Sequence, residues 1–125
     1  MISLIFWILV YTFIMAVSQV LLKIGLSHFG TISVKTWQDI LPLITVIIHN
    51  YYILGGTILM GSSFFLWLAM LSWFKLGLIF PMTALVYVFV ALLTHFWLGE
   101  ELYIYNYFGI LLIAAGIFFL LFKQV

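Results

Sequence analysis

In the first apolar stretch of the chain, Thr12, Ala16, Gln19 and Lys23 follow one another at spacings of four, three and four. A helix stacks positions so spaced on one face. Lys23 is the only formal charge well inside an apolar run. Ionised and polar groups are expensive in lipid, and they turn toward a bundle interior or a wet cavity. Two readings of Lys23 stand open. In one, a lysine near the end of its helix snorkels to the headgroups, its charge favoured by the helix C-terminus. In the other, the cation stands at the mouth of a cavity and faces an anionic group such as a phosphate. The third apolar stretch carries a comparable face: Thr83, Tyr87, Ala91 (with Val90) and Thr94. For the threonines, hydrogen bonding between helices suffices as an explanation, at less than about 2 kcal/mol per contact. A phenol at mid-membrane depth is different. Tyr87 needs a partner, and a pocket can supply one.

Absences narrow the chemistry. The three acids are Asp39, Glu100 and Glu101, and none lies inside an apolar stretch. A carrier that exchanges hydrophobic cations for protons needs a carboxylate at depth. His49 and His95 fall near the ends of stretches, where a lone histidine makes interfacial hydrogen bonds. No His/Asp/Glu cluster has the spacing of a metal site, and no nucleophile–base arrangement is visible. The expectation is a protein that is not an enzyme and takes no metal and no cofactor. The lack of cysteine excludes disulfides and thiolate ligands.

The elements that position these residues are membrane helices. Four runs, 2–26, 51–74, 78–98 and 103–122, are each long enough to cross a hydrocarbon layer that needs about 20 apolar residues. Hydrophobic residues make up 68% of the chain and charged ones 6%, a composition outside that of soluble domains. The fold expected is all-α: a single transmembrane domain over 1–125, an antiparallel four-helix bundle. A net charge of +1 from scattered lysines gives no nucleic-acid surface. The first run is too long for a signal peptide's core, so it is read as a retained helix.

Between the first two runs, Ile32, Val34, Trp37, Ile40, Leu41, Ile44 and Ile47/Ile48 recur at helical spacing, with Lys35, Gln38 and Asp39 to one side. Segment 32–48 is expected to lie at the membrane interface with Trp37 as anchor. The alternative is that 41–48 re-enters the bundle. Pro42 would kink this segment or begin a second piece, and Pro81 would bend the third helix or sit in its first turn. The short links at 75–77 and 99–102 make consecutive helices antiparallel neighbours. Tyr51, Tyr52, Trp73, Trp97, Tyr103, Tyr105 and Tyr107 supply an interfacial belt. If Lys23 is counted with the first helix, Lys75 and Lys123 against Lys35 lean toward both termini in the cytoplasm, a balance that one lysine decides, so the sequence leaves orientation open. Small residues recur every seven positions, at Gly55, Ser62 and Ala69 and again at Gly109 and Gly116. They allow close helix approach, either within the monomer or, through the fourth helix, between subunits.

The run Gly77-Leu78-Ile79-Phe80-Pro81-Met82-Thr83-Ala84-Leu85, then Gly99-Glu100-Glu101, Tyr107-Phe108-Gly109 and Ile113-Ala114-Ala115-Gly116-Ile117, resembles the drug/metabolite transporter superfamily. Within it the chain is most similar to the four-span proteins related to aminoarabinose–phosphoundecaprenol flippase subunits. Ser18-Gln19-Val20-Leu21-Leu22-Lys23 looks like the end of their first helix. The resemblance implies a multi-pass inner-membrane protein that works as a homodimer, or as a heterodimer with a similar subunit. It would move a polyprenyl-phosphate-linked sugar or similar anionic lipid between leaflets. In the family's motif the acid after the third helix corresponds to Glu100 or Glu101. The related small multidrug resistance proteins place a glutamate mid-way along the first helix, where this chain has Thr12-Phe13-Ile14-Met15-Ala16. The residues expected to meet substrate are thus Thr12, Gln19, Lys23, Thr83, Tyr87, Glu100 and Glu101. A cation/proton antiporter and a non-transporting membrane scaffold are the competing readings.

Overall fold

A computed structural model describes residues 2–27 and 35–122. Ile32, Val34 and Lys123, which entered the reading of the interfacial segment and of orientation, lie outside the described residues. The apolar runs are helices, as they must be where lipid offers backbone amides no partner. In order they are α1 (Ile2–Ser27), a 3-10 turn (Trp37–Asp39), α2 (Ile40–Ile48), α3 (Tyr51–Trp73), α4 (Leu76–Met82), α5 (Leu85–Leu93) prolonged by a π-helical turn (Thr94–Leu98), and α6 (Ile104–Phe122). There is no strand among the described residues. α1, α3, the α4–α5 unit (Leu76–Leu98) and α6 are each long and apolar enough to cross a bilayer. This is a multi-pass membrane protein.

The centre of the bundle is α1. It packs most extensively against α3 and next against α5, whereas α6 rests lightly on the α4–α5 unit. Burial follows the same order: many residues of α1 are buried, fewer of α3, and none of α6. The buried seam of α3 is Ile53, Gly56, Ser63 and Met70. This corrects the sequence reading, which put Gly55, Ser62 and Ala69 on the packing face. Adjacent Gly-Gly and Ser-Ser pairs let a seven-residue repeat fit either register, and contact with α1 decides it. A Cβ on Gly56 would stand 2.9 Å from the backbone oxygen of Ser18, whereas one on Gly55 would meet only Leu21 Cδ1 at 3.9 Å.

Asn50 ties the other end of this pair. Its Oδ1 accepts from the backbone N–H groups of Tyr52 and Ile53, at 2.9 and 3.2 Å, capping α3. Its Nδ2 donates to the Gly25 carbonyl of α1 at 3.3 Å. Losing an N-cap costs about 0.5–2 kcal/mol. Asn50→Ala should therefore lower the unfolding midpoint of the detergent-purified protein by several degrees, followed by tryptophan fluorescence. Asn50→Asp, which keeps the acceptor and loses only the tether, should lower it less. Equal losses in the two variants would put all of Asn50's weight on the tether.

The third span is interrupted. Pro81 is the sixth residue of α4, not part of its first turn, so of the two readings the bend is the one realised. Beyond it the ladder tightens to three-residue steps: Ala84 N–H donates to Pro81 O, Val86 to Thr83 O and Tyr87 to Ala84 O, at 2.9–3.1 Å. The proline ring cannot donate and crowds the preceding turn, which is the cause of such a break. The span ends at Gly99, in the left-handed conformation (φ 73°). Outside the bundle, Asp39 Oδ2 accepts from the N–H groups of Lys35 and Thr36 and so starts the short turn before α2. Pro42 occupies the first turn of α2, and no residue of that helix is buried. The segment does not re-enter the packed helices, and Trp37 is 87% exposed.

Candidate functional site

Near the Lys75 turn the spans converge on a core of Leu4, Ile8, Tyr11, Met70, Ile79 and Met82, flanked by Ile117, Leu120 and Leu121 of α6. Toward the other end α3 and α5 part, because both pack on α1 and touch each other little. The result is a groove of about 560 Å³. Its α1 wall is Tyr11, Met15 and Gln19; α3 contributes Trp67; Phe80, Thr83, Val86, Tyr87 and Val90 come from the third span. The α1 residues are four apart and so form one stripe, as do Val86 and Val90 opposite them.

The two faces read from sequence meet here, with one change. Gln19, Thr83 and Tyr87 line the same groove. Thr12 does not: it is fully buried, its hydroxyl donating to the Ile8 carbonyl at 2.6 Å and the Leu9 carbonyl at 3.2 Å. The stripe facing the groove is shifted by one residue, so Tyr11 and Met15 stand where Thr12 and Ala16 were expected. Lys23 is the next four-residue step beyond Gln19, about 6 Å further along the axis. It is exposed and does not line the groove.

Glu100 and Glu101 are exposed after Gly99 and outside the groove. The Glu100 carbonyl lies 2.9 Å from His95 Nδ1. Gly109 lines a shallower cleft of about 380 Å³ between the third span and α6, which Tyr87 also borders. A Cβ on Gly109 or Gly116 would meet nothing within 4 Å. No group of His, Cys, Asp or Glu suited to a metal occurs among the described residues.

Chemically the groove is neutral and aromatic, with no ionisable acid or base other than the phenols among its lining residues. The Thr83 hydroxyl is spent on the Phe80 carbonyl at 2.5 Å. The side chains of Gln19 and Tyr87 have no hydrogen-bond partner among the described residues. Trp67 neighbours Tyr11, with ring centres 5.3 Å apart, and Phe80, at 6.2 Å and edge-on. Tyr11, Met15, Trp67 and Phe80 were missed by sequence reasoning. Stepping back by fours from Lys23 through Gln19 would have found the first two; nothing in the apolar pattern of α3 singles out Trp67.

No family model matches the chain, and no solved structure matches it. Curated relatives do. The probable 4-amino-4-deoxy-L-arabinose-phosphoundecaprenol flippase subunit ArnF of Proteus mirabilis is 32% identical over 114 residues, 89% of this chain and 86% of that protein. The chain belongs to this family of flippase subunits. An ArnE subunit of Pseudomonas fluorescens is 24% identical over 110 residues, covering 85% of this chain and 96% of its own length. The ArnE subunit of Pectobacterium atrosepticum is 33% identical over 67 residues, 54% of this chain; the chain spans 59% of that relative's length. Family membership agrees with the resemblance read from Gly77–Leu85 and Gly99-Glu100-Glu101, and with four membrane-crossing helices.

Proposed function

We propose that this chain is a subunit of an inner-membrane carrier that passes a polyprenyl-phosphate-linked sugar from one leaflet to the other. The observation that carries the reading is the groove, along which membrane-crossing helices expose the polar side chains of Gln19 and Tyr87, without a hydrogen-bond partner among the described residues. A charged, hydrated headgroup loses several kcal/mol on entering hydrocarbon unless new partners replace its water. Lys23 attracts the phosphate at the open end, its stem covering the single helical turn to Gln19. The sugar enters between α3 and the third span, while the lipid tail stays in the bilayer. A second four-span subunit, the same chain or a similar one, packs against α6, where Gly109 and Gly116 leave room for a close helix. The neutral lining supports this reading over cation/proton exchange, and the existence of a groove supports it over a scaffold.

The test is lipid transfer in vesicles reconstituted with the purified protein. A hydrogen bond to a charged group contributes about 1.5–3 kcal/mol, so Lys23→Ala should cut transfer at least about tenfold. Lys23→Arg should retain most of it. Transfer unchanged in Lys23→Ala would remove the phosphate role assigned to this lysine.

A further inference from the structure

The inner end of the groove carries polar groups that phosphate binding does not explain. Tyr11 is only 8% exposed, and its hydroxyl has no partner among the described residues. Among the described residues no unpartnered side-chain nitrogen or oxygen is sealed from solvent, and Tyr11 lines the groove. The half-buried Trp67 is in the same position, since its indole N–H has no acceptor among the described residues. A buried phenol or indole ordinarily finds a partner. With Gln19 and Tyr87 they place four neutral hydrogen-bonding side chains along a groove that Phe80 also lines.

We infer that this inner end, built on Tyr11 and Trp67, recognises a sugar ring as a neutral object, by stacking and by hydrogen bonds to hydroxyls, and does not select for an amino group on it. The inference rests on the proposed carrier function and deepens it. A sugar ring has one face of C–H bonds, which pack on the electron-rich face of an indole, and a rim of hydroxyls that exchange water for the neutral donors and acceptors present here. Ring recognition of this kind needs no counter-charge. An ammonium, by contrast, gives up more hydration than aromatic faces alone return, and no carboxylate lines the groove. The relatives' names specify an amino sugar; this groove should accept its hydroxyl counterpart as well.

The experiment is calorimetric titration of the detergent-purified chain with three two-isoprene phosphates. One is bare, one carries a neutral pentose, and one carries the corresponding 4-amino-4-deoxypentose. Both glycosylated lipids should bind about tenfold or more tighter than the bare phosphate, and within about fivefold of each other. Tyr11→Phe and Trp67→Phe should each reduce the sugar's advantage several-fold and leave the bare phosphate's affinity unchanged. A bare phosphate that binds as well as the others would overturn ring recognition. So would a tenfold preference for the amine, or sugar binding indifferent to both substitutions. If none of the three lipids binds, the carrier reading falls, and this inference with it.

Discussion

Val90→Trp is expected to reduce lipid transfer at least tenfold while leaving the protein as stable as before. Val90 stands on the α5 wall of the groove, four residues from Val86 and on the same stripe. Val90 is half-buried and borders the groove, so an indole at this position can extend into that space. Filling the groove removes the contacts by which a headgroup replaces its lost hydration. Each 1.4 kcal/mol of binding so forfeited is a factor of ten. Val88→Trp is the matched control, because Val88 belongs to the same helix but does not line the groove. It should stay within about threefold of the parent protein. The paired measurement is initial transfer rate in reconstituted vesicles, with detergent unfolding midpoints to show that both variants fold. Equal transfer by the two variants would mean that the headgroup takes another path.

The fold was legible because lipid leaves a chain few choices. Long apolar runs must be helices, and the links at 75–77 and 99–102 are too short for anything but antiparallel neighbours. Which helix sits at the centre was not legible. Short connections suggest that sequential spans are the main partners, yet α1 holds both α3 and α5 while α3 barely touches the third span beyond their shared turn. The groove exists for that reason, and hydropathy carries no trace of it. Part of the groove's lining could be read. Polar groups in apolar helices announced Gln19, Thr83 and Tyr87, since a polar side chain at depth demands a reason. Thr12 satisfied its demand locally, through its own helix's carbonyls, an outlet open to any threonine and invisible to spacing. Aromatic residues gave no such signal. In a chain that is 20% aromatic, Trp67 looks like lipid-facing bulk until its neighbours are known.

The second large effect concerns the seam that keeps α1 and α3 together and so fixes one wall of the groove. Gly56→Ala should destabilise the protein by about 1–3 kcal/mol, the usual cost of overpacking a tight contact. The added methyl would lie 2.9 Å from the Ser18 backbone oxygen and 2.9 Å from Leu22 Cγ. A side chain can move aside, but a helix carbonyl yields only if the helices separate. Gly55→Ala makes the same chemical change one residue away, where the nearest atom would be 3.9 Å distant. Alanine is also the better helix former, by up to about 1 kcal/mol, so this variant should be neutral or slightly more stable. The unfolding midpoint in detergent, read by tryptophan fluorescence, should therefore fall for Gly56→Ala and hold or rise for Gly55→Ala. Because α1 and α3 also frame Trp67 against Tyr11, the destabilised variant should lose lipid transfer along with its packing. A Gly56→Ala protein as stable as its parent would mean that the helices meet less closely than this seam requires, and the groove's α3 wall would then have to be placed elsewhere.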